Sequence, residues 1–421
     1  MKETYKKIIK EFETRNIEFV DRNVNIPLDS GKVVTVVGPR RSGKTYTLYQ
    51  LIESIPKEQG YIYINFEDER IDYNQGLDPI FDAYFELYPD QKKENLYIFF
   101  DEIQEVPRWP KFVRRVYDTI SKKIFITGSN QKILATDIAQ CLRGRTLTYE
   151  ILPLSFSEFM DFKGVEADKY TYKGGAKLRR LIEEYIKYGF YPEIALESNK
   201  NIRVKILQEY FNTLIYRDVI ERYDIQDVYL VKFIMKRVYS SLAKEFSINK
   251  VYNDLKSAGF KTGKDKIYSL IEHLEDVYFL YPLRKYARSA KKRMLLNKKV
   301  YTFDNGIVNA VTADFSADRG KYFENMIFNE LYKKSKEIYY LSNDYECDFM
   351  VNTGNSKIAV QAVVELKESN YGREIKGLKK GMDKLKAEIG YIVFLDNRTE
   401  QESSDNKKLV DFFDFLSVLK G

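Results

Sequence analysis

Two kinds of hydrophobic pattern divide the chain. In its first part apolar and β-prone residues come in short, nearly continuous runs, at 33–37, 61–66, 98–100 and 123–127. A strand buried on both faces reads as such a run, whereas a half-exposed strand alternates. With the helix-like segment 46–52 and the β-prone segment 146–152, these runs predict a doubly wound α/β sheet. A polar stretch at 163–177 follows, and the apolar spacing becomes helical over 181–188 and 214–223, interrupted by Gly189-Phe190-Tyr191-Pro192-Glu193. From 229 to 301 the pattern reads three helices and then two strands, with Ser247 as an N-cap, Gly259 as a helix stop and Thr262-Gly263-Lys264 opening the third helix. From 321 onward it reads helix (321–331), three strands (338–341, 347–351, 358–364), helix (371–386) and strand (391–395).

The segment between the first strand and the first helix carries the most specific chemistry. Gly38-Pro39-Arg40-Arg41-Ser42-Gly43-Lys44-Thr45 matches the phosphate-binding loop G-x-x-x-x-G-K-[ST] in its required strand–loop–helix setting. Gly38 and Gly43 let backbone N–H groups wrap around phosphate oxygens, and Arg41 and Ser42 lie in the same cradle. Lys44 brings a compact positive charge to the β- and γ-phosphates, and the Thr45 hydroxyl suits Mg²⁺. The run at 98–100 ends in Asp101 and Glu102. In that position Asp101 is a candidate for the Mg²⁺ shell and Glu102 for the base that polarises an attacking water. Ser129 or Asn130, after the strand 123–127, is a candidate γ-phosphate sensor. Arg143 or Arg145 is a candidate for stabilising transition-state charge, with a solvated or structural arginine as the alternative. The cofactors expected are therefore ATP and Mg²⁺.

Composition narrows the setting. Hydrophobic residues make up 44 % and charged residues 31 %, as in a soluble globular chain, and no apolar run is long enough for a membrane span. The start lacks the apolar stretch of a secretory leader, and the 2 cysteines, Cys141 and Cys347, are too few for a disulfide framework. A cytoplasmic protein is expected. The single histidine, His273, sits in a helical pattern, which argues against a histidine-based metal or triad site. Net charge is +7, yet between Val277 and Phe303 there are eight basic residues and no acidic one. Such a stripe attracts polyanions.

These motifs resemble those of prokaryotic AAA-type (P-loop) ATPases that carry a C-terminal domain of unknown function. The resemblance rests on the loop 38–45 and on Tyr63-Ile64-Asn65-Phe66-Glu67-Asp68, Asp101-Glu102-Ile103-Gln104, Thr127-Gly128-Ser129-Asn130 and Leu142-Arg143-Gly144-Arg145. Pro153-Leu154-Ser155-Phe156-Ser157-Glu158-Phe159 is the stretch most particular to the family. It implies an ATPase domain at 1–165 and a helical lid at 166–228, with Arg217 in reach of nucleotide or, alternatively, in an ion network with Asp218.

For 229–316 the helix and strand order is that of a winged helix, a relative of the helix-turn-helix. Lys264 and Lys266 would face outward with Tyr268 and Ser269, and Arg288, Lys291, Lys292 and Arg293 would lie on the wing. These are the nucleic-acid candidates, with sequence-tolerant DNA binding as the expectation. A purely structural or protein-docking role is the alternative.

The resemblance extends to a restriction-endonuclease-like fold at 317–421. Such nucleases gather metal ligands from an Asp on one strand and Glu-x-Lys on the next. Asp348 takes the first place and Glu324 could add a carboxylate, but Gln361 stands in the Glu place and Val363 in the Lys place. Glu365 and Lys367 spell the motif in a second register, past the apolar strand. A nuclease-inactive, vestigial site is expected. The functions that follow are an ATP-hydrolysing protein engaging nucleic acid, a nucleotide-dependent switch or scaffold for a protein partner, or an ATP-dependent nuclease.

Overall fold

The structure, a computed structural model, describes residues 1–129, 142, 144–166, 169–287, 289, 297–312, 319–342 and 344–420. The chain divides into two compact units, Met1–Pro153 and Leu154–Gly421.

In the first unit β1 (Val33–Val37), β2 (Tyr61–Asn65), β3 (Tyr97–Asp101), β4 (Ile124–Gly128) and β5 (Thr146–Glu150) form a 5-stranded sheet in the order β2-β3-β4-β1-β5. All its pairings are parallel. The period of two along a strand splits the apolar residues between two cores. Val33 and Val37 of β1 join Ile62, Ile64, Ile98 and Phe100 on one face. Val34 and Val36 join Tyr63, Tyr97, Phe99 and Phe125 on the other. The helix Lys44–Glu53 covers the second core with Leu48 and Leu51. The first core is covered in part by a helix at Lys2–Glu13, which the sequence reading did not foresee, through Tyr5, Ile8 and Ile9.

The second unit contains an 8-stranded sheet in the order β13-β12-β11-β10-β9-β7-β8-β6. Its strands are β6 (Glu245–Phe246), β7 (Tyr281–Lys285), β8 (Lys298–Tyr301), β9 (Glu337–Ser342), β10 (Glu346–Asn352), β11 (Lys357–Lys367), β12 (Ile389–Arg398) and β13 (Lys407–Asp411). The expected boundary at 316 does not interrupt this sheet, because β7 pairs in parallel with β9 through Arg284↔Tyr339 and Lys285↔Tyr340. A buried polar network crosses the same boundary. Asn325 accepts from Thr302 N at 2.9 Å and donates to Asn305 Oδ1 at 2.8 Å, and Asn329 donates to Thr302 O at 2.9 Å. Buried amides are costly unless paired, so the helix Arg319–Lys334 is tied to the end of β8.

Two family stretches have local explanations. Ser155 and Glu158 form a capping box that starts the helix Phe156–Phe162, in the second unit, while Phe156 N donates to the buried Glu330 at 2.8 Å. At Gly189, φ is +86°, and a Cβ there would lie 2.2 Å from Asp304 Oδ2. Asp304 in turn accepts from Phe190 N at 2.5 Å and Ile307 N at 2.8 Å. Gly-Phe-Tyr-Pro-Glu is thus a docking turn, and Pro192 begins the short helix Pro192–Leu196 after it. Beyond it Asp218 is buried and its ion pair is with Arg222, at 4.0 Å, one turn along a π-helix at Leu214–Glu221, while Arg217 is exposed. Among the described residues no helix is long and apolar enough to cross a membrane.

Candidate nucleotide site

The loop 38–45 leaves β1 between β4 and β5, at the carboxyl end of the parallel sheet, where open α/β folds bind ligands. Its backbone explains its residues. Gly43 is left-handed (φ 97°) and caps the helix Lys44–Glu53. At Gly38, φ is +151° and a Cβ would lie 2.1 Å from Ile151 O, so only glycine lets the loop pass the end of β5. Arg22 braces both sides of this junction, donating to Ser42 O at 2.6 Å and Leu152 O at 2.9 Å from a buried position. Sequence reading missed Arg22, and no short motif contains it.

Lys44 is buried, with Nζ donating to the carbonyls of Gly38 at 3.1 Å and Pro39 at 3.0 Å. Ser42 Oγ is buried with no hydrogen-bond partner among the described residues. A loop that curls its lysine onto its own carbonyls and leaves a hydroxyl unsatisfied is built to receive oxygen acceptors.

Asp101 ends β3, fully buried, and hydroxyls from three elements hold it. Thr45 Oγ1 donates to Oδ2 at 2.8 Å and Tyr63 OH to the same oxygen at 2.8 Å, while Thr127 Oγ1 donates to Oδ1. Burial, and secondarily Glu102, pushes the Asp101 pKa up, and the three hydroxyl bonds oppose this. Burial likewise keeps Tyr63 protonated and hence a donor. Thr127 Oγ1 also accepts from Glu102 N at 2.9 Å, which turns the chain at the strand end. There Glu102 adopts φ 52°, a costly conformation for a non-glycine residue, and Gln104 Nε2 donates to its Oε2 at 2.5 Å.

This donor set fits Mg²⁺. Thr45 and Asp101 offer hard oxygens 2.8 Å apart, close to the roughly 2.9 Å between adjacent ligands of an octahedral ion with 2.0–2.1 Å bonds. Thr45 and Asp101 would hold the ion, Lys44 would face phosphate, and Glu102 follows directly on Asp101.

The other candidates separate. Ser129 is buried just past β4. Arg145 directly precedes β5, at the opposite end of that strand from the one the loop passes. Val33 N donates to its carbonyl, whereas the loop starts beyond Val37, five residues along β1; at about 3.3 Å per residue that is ~16 Å. Its guanidinium pairs with Asp118 at 2.8 Å and lies over Tyr117. Asn130 and Arg143 lie outside the described residues.

In the second unit Lys264, Lys266, Tyr268 and Ser269 are exposed on the helix Lys264–Asp276, with Lys264 Nζ donating to Asn249 Oδ1 at 2.7 Å. Arg288, Lys291, Lys292 and Arg293 lie outside the described residues. His273 stacks on Tyr223, with ring centroids 3.7 Å apart.

Glu324 and Asp348 do come together, around a group the sequence reading had assigned to the basic stripe. Lys299 of β8 is buried, its Nζ 3.0 Å from Glu324 Oε1, 2.5 Å from Glu346 Oε1 and 3.7 Å from Asp348 Oδ1. Burial would lower its pKa, but Tyr301, Glu324, Asp348 and Glu346 together hold it well above the usual lysine value. Gln361 bridges instead of ligating, accepting from Asp348 N at 2.7 Å and donating to Glu374 Oε2 at 2.8 Å. The second register is not past the strand: β11 continues to Lys367, and Glu365 and Lys367 pair with each other.

Residues 30–160 match the family model of the AAA domain, and residues 179–318 match that of a domain of unknown function. An uncharacterized protein of Haemophilus influenzae is 26 % identical over 348 residues, covering 82 % of this chain and 85 % of that protein. Among solved structures, the ORC1 protein of Aeropyrum pernix in complex with DNA is similar at a TM-score of 0.30 and 12 % identity, over 68 % of this chain and 88 % of that one. The uncharacterized protein MJ1544 of Methanocaldococcus jannaschii is 37 % identical over 403 residues, 94 % of this chain and 89 % of its own length. The phosphate loop and the acidic strand end both lie within the AAA-domain match at residues 30–160, and the chain as a whole belongs to the family of MJ1544.

Proposed function

We propose that the protein binds and hydrolyses ATP in its first unit and engages nucleic acid through its second. The observation that carries the first half is the continuous bonded set Thr45–Asp101–Thr127–Glu102, which sets a hydroxyl, a carboxylate and a second carboxylate at the mouth of the phosphate loop. Lys44 exchanges its loop carbonyls for β- and γ-phosphate oxygens. Mg²⁺, held by Thr45 and Asp101, supplies charge neutralisation of the phosphates. Glu102, oriented by Gln104, takes a proton from the attacking water as its oxygen bonds the γ-phosphorus and the bridging P–O bond to ADP breaks. Ser129 or Asn130 senses the γ-phosphate. Arg145, braced on Asp118 at the start of β5, takes a structural role in this reading.

The second half rests on the exposed lysines of the 248–276 segment. Lys250, Lys256, Lys261, Lys264 and Lys266 are all exposed. Lys264 and Lys266 occupy the first turn of Lys264–Asp276, the helix that a winged helix presents to DNA. In this reading β7 and β8 are the wing strands, and the sheet β9–β12 with its flanking helices is a restriction-endonuclease-like domain retained for binding. Duplex DNA titrated at rising salt tests it, with sequence-tolerant binding that falls steeply as the expected result. No binding at low salt, with or without ATP, rejects it in favour of a nucleotide-dependent switch for a protein partner.

A further inference from the structure

We infer that the Lys299 ammonium stands where a divalent cation would sit among Glu324, Glu346 and Asp348, and that this internal cation keeps the second unit free of metal. A metal-dependent nuclease of the fold proposed for residues 317–421 needs hard oxygen ligands converging on one point. Here three carboxylates converge, from the helix Arg319–Lys334 and from β10. Their common point is the lysine nitrogen.

Other atoms of the cluster are already engaged. Tyr301 OH donates to Glu324 Oε1 at 2.6 Å. Asp348 Oδ2 accepts from Ala362 N at 2.9 Å, which leaves its Oδ1 toward Lys299. Gln361, where the resemblance expects a ligand, uses its amide to tie Asp348 N to Glu374. A divalent ion at this place would share a buried position with a fixed positive charge, so it enters only if the ammonium leaves. The implied metal therefore does not fit the residues present. The sequence gives no hint of this, because Lys299 arrives from β8, outside the nuclease-like segment.

Oxygens 2.5–3.7 Å from Nζ need shifts of up to about 1 Å to reach the 2.3–2.6 Å of a Ca²⁺ shell. The half-exposed Glu346 gives an entry path. Removing the ammonium should thus expose a cation site that the native protein conceals.

The test uses the full chain without nucleotide, with Mn²⁺ and Ca²⁺ as probes, read by thermal melting and by Mn²⁺ binding. The wild type should melt at the same temperature with and without about 1 mM cation, and its Mn²⁺ binding should be unchanged by Asp348→Asn. Lys299→Met should melt lower, recover with cation and bind Mn²⁺. Adding Asp348→Asn to that variant should remove the gain, and Lys299→Arg should behave as the wild type. Melting makes the experiment decisive even if Lys299→Met is unfolded in the absence of metal. A Lys299→Met protein that neither cation stabilises or refolds overturns the inference, as does Asp348-dependent Mn²⁺ binding by the wild type.

Discussion

Each unit sets a buried aspartate of a sheet strand close to a buried lysine and a hydroxyl, yet the two lysines are held in opposite ways. Lys44 lies on carbonyls of its own loop, and Thr45 bonds Asp101 from the same turn. Neutral carbonyls yield readily to a phosphate, and a hydroxyl–carboxylate pair yields to a cation that both can ligate. Lys299 lies against three carboxylates from two other elements, with Tyr301 on one of them. A charge so paired gains nothing by turning to a ligand. The same residue types therefore make a receptive site in one unit and a closed one in the other. What decides between them is whether the lysine's partners are exchangeable.

The largest effect expected from breaking the receptive site is with Lys44→Ala. Loss of a charged partner of phosphate costs about 2–5 kcal/mol, roughly 30- to 4000-fold in ATP affinity, measurable by calorimetry. Affinity within a factor of three of wild type would show that phosphate is held elsewhere. Next is Arg22→Met, which leaves the buried carbonyls of Ser42 and Leu152 without their donor. Each orphaned group costs ~1–3 kcal/mol, so the first unit should unfold at clearly lower denaturant. An unchanged midpoint would remove Arg22 from the loop's support.

In the second unit, replacing Lys264 and Lys266 together by Ala should weaken duplex binding similarly on all sequences and reduce the salt slope by about 2. ATP turnover without DNA should stay as it was. A sequence-dependent loss would mean that these lysines read bases. The gentlest test is a pH slope. Burial pushes the Asp304 carboxyl up to about 7, against the backbone N–H groups of Phe190 and Ile307. The folded state then keeps a proton that the unfolded chain has released above its ordinary value of 3.8. This contribution to stability is present in full at low pH and is lost as pH rises through about 7. Asp304→Asn should flatten the slope between about pH 4 and 7 in chemical denaturation. Parallel curves for the two proteins would show that Asp304 ionises at its ordinary value.

The receptive site was legible because phosphate chemistry demands given residue types at fixed spacing on one strand–loop–helix, and Asp101-Glu102 closes a continuous apolar run. The parts that escaped lie where partners are distant in the chain or are backbone atoms. Arg22 meets carbonyls 20 and 130 positions away, which no residue pattern encodes. Lys299 read as one more charge of a basic stripe, since its carboxylates lie 25 and more residues downstream. The pairing of Arg145 with Asp118 was not legible, because its nearness in sequence to β5 does not say which partner 27 residues upstream it meets. The end of β11 was set too early, because Glu365, Leu366 and Lys367 pair with β12 at Asp396, Asn397 and Arg398 instead of stopping the strand. The segment β13 and the helix Phe412–Lys420 were not foreseen at all.

The central claim is that Glu102 acts on water at a site whose binding residues are Lys44, Thr45 and Asp101. Glu102→Gln preserves size and the contact with Gln104 but cannot take a proton. ATP affinity and turnover should be measured on the same preparation of this variant and of the wild type, with Mg²⁺. The expected result is affinity unchanged within a few-fold and turnover lower by about 10²–10⁴. Hydrolysis at the wild-type rate would contradict the assignment of Glu102 as the base.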